Sequence, residues 1–393
     1  MKKLRPLSLY IHIPFCQKKC DYCDFCSFDD IASQIPAYID ALCNEIKSYS
    51  DQCKPHTVQT IFFGGGTPSI ISVKHMKKIF VALRSSFNFA SDPEITIECN
   101  PNSITEEKLI SYKNLGVSRI SLGMQSCNEV VLKNLGRQHN SKDVANALAL
   151  LSKLDFKNIN IDLIYNVPVP KKMANAGMVR DIEAEVNHIL LTAPHVTHVS
   201  AYSLIPEEGT PLKRKLDFEE LYELGDDVAI DEELELQDVL KLHGFKRYEV
   251  SNWARPGFEC KHNLAYWSGE MEYLGLGLSA SGLFKNERYD NTDNMSMYLL
   301  NPDKVEKREP RKSKEIINEI IMLGLRTTKG VDLARLEKLG ISLRKQKHRE
   351  ILHLTDHNLL KVSAKRIKAS DEGFFILNMI IDRLTFDFIE EKI

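Results

Sequence analysis

From Ser8 to about Leu204, apolar and polar positions follow two alternating rhythms. Short runs rich in β-branched and aromatic residues predict strands at Leu9–Ile13, Val58–Phe63, Glu94–Cys99, Arg119–Gly123, Asn158–Ile164 and Val196–Leu204. Between them, Ile35–Tyr49, Val73–Arg84, Glu106–Leu115, Val144–Leu154 and Val179–Leu190 carry apolar residues at helical spacing. About six βα units in succession predict parallel strands joined by right-handed crossovers, as an open sheet or a partial barrel. In either arrangement functional groups gather beyond the C-terminal ends of the strands.

The rhythm then changes. Asp217–His243 reads as one long, acid-rich helix stopped by Gly244, followed by a Gly- and aromatic-rich stretch, Tyr248 to Phe284, and a polar region around Asn286–Asn294. From about Lys304 the order becomes helix, a turn at Lys329-Gly330, two further helices and an alternating run, Leu359 to Lys368. That order is winged-helix-like. The expected division is 1–243, 244–303 and 304–393, an α/β unit with an extension and a mainly helical C-terminal domain.

Charge narrows the function classes. The 393 residues carry 52 basic and 54 acidic side chains, net −2, so no global field draws nucleic acid. From Lys304 onward there are 20 basic against 14 acidic residues, but no Arg/Lys-rich recognition helix, which argues against DNA binding. No apolar run approaches the ~20 residues of a membrane span, and Met-Lys-Lys-Leu-Arg-Pro has no apolar signal core. The expectation is a cytoplasmic protein with no stable membrane insertion and no nucleic-acid partner.

Four of the nine cysteines fall within "CQKKCDYCDFC", directly behind the first strand. An odd number in a reducing compartment points to metal or redox chemistry, not to a disulfide framework. Cys16, Cys20 and Cys23 have C-x3-C-x2-C spacing, and Cys26 adds another step. Zinc would want a fourth ligand, which Cys26 offers. An iron–sulfur cluster held by three thiolates would leave one iron open to a non-protein ligand. The other strand ends also carry chemistry. Strand two ends in "FFGGGTPS", where glycines admit close backbone approach to a ligand. Strand three offers Glu98, strand four Gln125, the "LGRQH" segment Arg137, and strand five Asp162. Any one of these is more often a structural polar group. Five strands presenting such groups at one edge indicate a site.

The C-x3-C-x2-C loop with Tyr22 between its last two cysteines resembles the signature of radical S-adenosylmethionine (SAM) proteins. The resemblance implies a partial (β/α)6 barrel in which Cys16, Cys20 and Cys23 hold a [4Fe–4S] cluster whose open iron chelates SAM. It assigns Tyr10, Gly65, Gly66, Thr67, Glu98, Gln125, Arg137 and Asp162 to the SAM pocket. Bound there, the cofactors would supply reductive cleavage of the sulfonium to a 5′-deoxyadenosyl radical, with a reductant such as flavodoxin or ferredoxin as partner.

"SLYIHIPFC", "FFGGGTPS", "ECNP", "RISLGMQS", "LGRQH" and "NIDLIYNVP" resemble the oxygen-independent coproporphyrinogen III oxidase family from Leu9 to about Arg383. That family has an oxidase branch, HemN, and a heme-chaperone branch, HemW. Phe25 stands where the oxidases carry a further cysteine, and only fifteen residues precede Cys16, too few for the oxidases' N-terminal lid. His262-Asn263-x-x-Tyr266-Trp267 resembles the HNxxYW motif linked to heme binding in HemW. The resemblance therefore implies heme as ligand, His262 as its axial imidazole, and heme-accepting apoproteins as partners. The alternative is an oxygen-independent coproporphyrinogen III oxidase of porphyrin biosynthesis. This chain departs from the family pattern at Cys26, where HemW proteins more often carry Asn, at Asn166, where relatives usually have Gly, and in the lengthened segment that follows Asn166. Cys260 is a possible thiolate competitor for iron, although a buried inert thiol is the commoner case.

Overall fold

The six apolar runs form adjacent parallel strands in chain order. They are β1 (Arg5–Ile13), β2 (His56–Gly65), β3 (Phe89–Cys99), β4 (Arg119–Gln125), β5 (Asn158–Tyr165) and β6 (His198–Ser203). The computed structural model describes residues 4–176 and 180–387. The crossover helices are α1 (Ile35–Ser48), α2 (Val73–Ser86), α3 (Glu106–Leu115), α4 (Ser141–Lys153) and α5 (Ile182–Thr192). Val179, the expected start of the last of these, lies outside the described residues. Helix α3 keeps its sequence-predicted bounds for a local reason. The Thr105 side chain accepts from Lys108 N–H at its start, and Gly116 takes the left-handed conformation (φ 93°) at its end.

Alternation along each strand separates two environments. Leu7, Leu9, Ile11 and Ile13 of β1, Ile61 and Phe63 of β2, and Ile95 and Ile97 of β3 join the helices in one large apolar core. Their neighbours on the opposite face are polar or aromatic: Ser8, Tyr10 and His12; Thr60 and Phe62; Glu94, Thr96 and Glu98. The pattern continues with Arg119 and Ser121, Asn160 and Asp162, and His198 and Ser200. The concave face of the sheet is therefore a polar interior, and the convex face is the hydrophobic core.

Two features differ from expectation. The acid-rich stretch is not one helix from Asp217. A short helix, Pro211–Asp217, is followed by a turn, and α6 (Asp226–Leu242) begins only after Gly225, whose φ of 89° interrupts the helical path. Residues beyond Gly244 also extend the same sheet at both edges. β7 (Lys246–Glu249) and β8 (Asn252–Ala254) add antiparallel strands beside β6. Helix α7 (Lys261–Ser268) then leads to β9 (Glu272–Leu276), which pairs in parallel with β1. β10 (Ser281–Phe284), β11 (Glu287–Asn291) and β12 (Val305–Pro310) complete the twelve-stranded sheet.

A second apolar cluster, Ile317 to Leu384, belongs to a C-terminal unit. Its helix α8 (Ser313–Leu325) and later helices pack with a three-stranded antiparallel sheet of Val331–Asp332, Arg366–Ala369 and Leu360–Val362. This is the expected winged-helix-like order. It adjoins α7, where Arg335 Nη1 donates to the Ser268 carbonyl at 2.6 Å. Among the described residues no helix is long and apolar enough to cross a membrane.

Candidate functional site

Two cavities open side by side on the concave face. The first, of about 370 Å³, lies at the C-terminal strand ends and is bordered by Cys16, Cys20 and Cys23. The cysteine loop is held from both sides: Asp21 N–H donates to the Leu135 carbonyl (3.1 Å), and Leu212 N–H donates to the Asp21 carbonyl (2.8 Å). Burial pushes the Cys16 and Cys23 thiols above their ordinary value, so thiolates there require a compensating cation. Arg137 supplies one charge, with Nη1 3.2 Å from Cys20 Sγ. Among the described residues no three His, Cys, Asp or Glu side chains converge as a single metal ion requires. A zinc ion would draw its ligands to ~2.0–2.3 Å. Cys16, Cys20 and Cys23 border one cavity, a donor set that suits a cluster held by three thiolates. Cys26 lines the other cavity instead.

The glycine run forms a cradle beside the thiols. Gly65 has φ 111°, and a Cβ there would lie 2.6 Å from the His12 ring. A Cβ on Gly66 would meet the Phe15 carbonyl at 2.8 Å and Cys16 Sγ at 3.0 Å. Both positions demand glycine, and both leave backbone bare where a ligand can approach. The Thr67 hydroxyl lies 3.7 Å from Cys16 Sγ and accepts from Asn100 Nδ2 at 3.2 Å.

Glu98, Gln125, Arg137 and Asp162 line the same cavity. Burial, then the negative charge of Asp162, pushes the Glu98 carboxyl up to about 8. Asp162 is also raised, chiefly by burial, and is held by Asn160 Nδ2 (2.8 Å) and Ser121 Oγ (3.2 Å). Arg137 Nη2 donates to Asn100 Oδ1 (2.7 Å) and the Gly123 carbonyl (2.6 Å), while its buried Nε has no partner. That leftover donor, the paired carboxylates and the glycine cradle fit a ligand with a carboxylate at one end and a diol at the other, as SAM has.

The second cavity, of about 460 Å³, shares Phe25, Gly65 and Glu98 with the first. Its remaining walls include Tyr10, His12, Phe62, His262, Tyr266 and Tyr273. Tyr10 thus borders the neighbouring chamber, where its hydroxyl lies 3.0 Å from His12 Nδ1. It stays close to the first cavity, since a Cβ on Gly64 would contact both Tyr10 and Glu98. His262 stacks on Phe62 (5.2 Å) and meets Tyr266 edge-on (4.7 Å). Both its ring nitrogens are occupied: Nδ1 lies 2.7 Å from Thr60 Oγ1, and Nε2 lies 2.9 Å from the Tyr266 hydroxyl. Burial, then the nearby Arg119 charge, lowers its pKa to about 3, so the ring is neutral. To ligate iron through Nε2, it must exchange the Tyr266 hydroxyl for the metal.

Sequence reasoning missed several residues that build this chamber. Glu94 accepts from the Lys261 and His262 backbone N–H groups, each at 3.0 Å, and from Cys260 Sγ at 3.5 Å, capping α7. Cys260 is fully buried and does not border the cavity, and burial pushes its thiol up to about 12. Glu45 of α1 accepts from Gly277 N–H (2.8 Å), Asn291 Nδ2 (2.6 Å) and the Tyr298 hydroxyl (2.6 Å). It thereby fixes the turn that carries Ser279 into the cavity wall. The polar alternation of β2 and β3 was the available signal for Thr60 and Glu94. Asn166 adopts φ 57°, in the left-handed region that Asn enters more readily than most residues other than Gly.

Comparison with known proteins places this geometry. Residues 10–173 match the radical SAM superfamily model, and residues 312–376 match the HemN C-terminal domain. The chain is 34% identical to the heme chaperone HemW of Lactococcus lactis over 98% of both chains. It is 31% identical to that of Bacillus subtilis, covering 95% of this chain and 97% of the relative. With the Escherichia coli HemW it shares 36% identity over 72% of this chain and 71% of the relative. Among solved structures, coproporphyrinogen III oxidase (HemN) from Escherichia coli superimposes with a TM-score of 0.83, covering 98% and 91% of the two chains. At 22% identity that match speaks to the fold.

Proposed function

This chain belongs to the HemW family within the radical SAM superfamily, and from that premise we propose that it binds heme and delivers it to apoproteins. The observation that carries the reading is end-to-end similarity to proteins named heme chaperones, at 34% identity over 98% of both chains. The second cavity supports it: a chamber of about 460 Å³ walled by Tyr10, Phe62, Tyr266 and Tyr273, with the His262 imidazole in its lining. Aromatic walls with an imidazole nitrogen are what a flat macrocycle with a central iron requires, and the other imidazole of the lining, His12, is engaged by the Tyr10 hydroxyl and the Cys26 carbonyl.

In this reading Cys16, Cys20 and Cys23 hold a [4Fe–4S] cluster. Gly65, Gly66, Thr67, Glu98, Gln125, Arg137 and Asp162 hold SAM. When bound, the pair supplies one-electron cleavage of the sulfonium. The residues of this chain bind, orient and screen it: Arg137 offsets negative charge at Cys20, and the glycine cradle brings backbone close to the ligand. Tyr10 and His262 serve the heme side. A reductant of the flavodoxin or ferredoxin kind, heme-accepting apoproteins and a cytoplasmic location complete the proposal. The 1–243 and 244–303 segments then act as cofactor unit and heme-motif extension; within 304–393, β12 completes the large sheet and the residues from α8 onward act as C-terminal module.

The test is anaerobic reconstitution with iron and sulfide, followed by heme titration and transfer to an apoprotein. Stoichiometric Soret development and transfer are expected, with no conversion of coproporphyrinogen III. Robust formation of protoporphyrinogen IX by the reconstituted protein, given SAM and reductant, would replace this reading with the oxidase one.

A further inference from the structure

His262 is the second residue of α7, with its ring between Phe62 and Tyr266. The position of its proton follows from the hydroxyls behind it. Ser8 Oγ donates to Met271 Sδ at 3.0 Å, a thioether that can only accept. Thr60 Oγ1 donates in turn to Ser8 Oγ at 2.8 Å. A threonine hydroxyl has one proton, and here it points to Ser8, so towards any other neighbour Thr60 can only accept. The neighbour 2.7 Å away is His262 Nδ1. Nδ1 therefore carries the hydrogen. A neutral imidazole has one N–H, so Nε2 presents its lone pair, and the Tyr266 hydroxyl at 2.9 Å is the donor to it. Ser8, Thr60 and His262 are each no more than 1% exposed, so water does not compete for these bonds.

We infer that Thr60, backed by Ser8 and Met271, is a positioning residue that holds His262 as the Nδ1–H tautomer, and that the Tyr266 hydroxyl caps Nε2 until heme iron takes its place. The iron half of this statement rests on the heme-binding reading; the tautomer does not. An Nδ1–H bonded to an oxygen acceptor fixes the ring plane and makes Nε2 a stronger donor to metal. The relay joins β1, β2 and the stretch from α7 to Met271, just before β9, so the ligand is aimed by three stretches of chain that the sequence keeps far apart.

The experiment uses the full-length chain labelled with nitrogen-15 at histidine, with His262→Ala for assignment. The His262 shifts should report Nδ1–H in the protein without heme, and Thr60→Val should mix the two tautomers. In heme titrations, Thr60→Val should weaken binding about 10- to 100-fold and move both the Soret band and the iron potential. Thr60→Ser, which keeps the hydroxyl, should restore all three, and it serves as the informative variant should the valine protein melt early. Tyr266→Phe, which keeps the ring and removes only the capping hydroxyl, should accelerate heme uptake. Wild-type shifts reporting Nε2–H would overturn the inference. So would a folded Thr60→Val protein with unchanged tautomer, affinity and Soret band, or slower uptake by Tyr266→Phe. A heme spectrum unchanged by His262→Ala would instead remove iron ligation from this inference and from the reading beneath it, and the nitrogen shifts would still decide the tautomer.

Discussion

The two cavities share Phe25, Gly65 and Glu98, yet they are built in different ways. The first is assembled from short loops directly following strands, and each loop brings its own chemistry: thiols after β1, glycines after β2, a carboxylate at the end of β3. The second is assembled from strand faces and from segments that arrive more than two hundred residues later. Thr60 and His262 are 202 positions apart in the chain, and Glu45 and Tyr298 are 253 apart. A site made of loops can be altered locally. A site made of faces and straps is coupled to the stability of the elements that form it.

If that contrast is right, the largest effects fall on the first cavity and stay there. Replacing Cys16, Cys20 or Cys23 by Ala should remove essentially all cluster absorption and bound iron after reconstitution. Cys26→Ala should leave both near wild type, because its thiol faces the other chamber. Equal loss in Cys26→Ala would merge the two cavities into one four-thiolate site.

The second prediction concerns a strap. Glu45 is 1% exposed, and burial raises its pKa from 4.5 to about 7 against the three donors that lower it. The folded state thus holds the proton more tightly than the unfolded chain. Stability from this group is complete below pH 4.5 and is lost as pH rises through about 7, by roughly 3 kcal/mol. Glu98, raised to about 8, adds a slope of the same sign, so in chemical denaturation from pH 4.5 to 8 Glu45→Gln should reduce the slope by the Glu45 share without abolishing it. A slope unchanged in Glu45→Gln belongs to another group. Heme uptake should follow the same pH window, and cluster assembly should not.

Third, Glu98→Ala should weaken SAM binding by roughly 0.5–1.5 kcal/mol for each hydrogen bond its largely neutral carboxyl makes, with the cluster intact. Cluster loss in that variant would mean that Glu98 holds the thiol loop and not the ligand. The smallest effect is expected at Phe25, which is 63% exposed on the shared wall. Phe25→Ala should leave the melting temperature nearly unchanged and weaken heme binding several-fold, roughly 1 kcal/mol. A change confined to SAM binding would assign that ring to the first cavity alone.

Much of the fold was legible because the first six strands place apolar residues at alternate positions, each run bounded by its own turn chemistry. The seventh parallel strand, β9, was not. Glu-Tyr-Leu-Gly-Leu is short, contains a glycine and gives no sign that its partner is β1, some 260 residues earlier. The acid-rich helix was misplaced at its start because periodicity continues through Asp217, whereas the backbone turns at Gly225. All the candidate SAM residues but Arg137 were readable because they sit within two or three positions of strand ends; Arg137 follows the short helix Glu129–Asn134 and was readable only from its own motif.

By itself the sequence determined the cysteine loop, the glycine cradle, the order of the parallel strands and the family, since each is encoded in contiguous residues whose local chemistry permits few alternatives. Only the tertiary structure decided that Tyr10 borders a second chamber, that both nitrogens of His262 are occupied, and that Cys26 is separated from the other three thiols. Those facts depend on the side to which each side chain turns and on what arrives opposite it. That is settled by the pleat of the strands and by long-range pairing of β1 with β9, where a shift of one residue would exchange the polar interior for the apolar core.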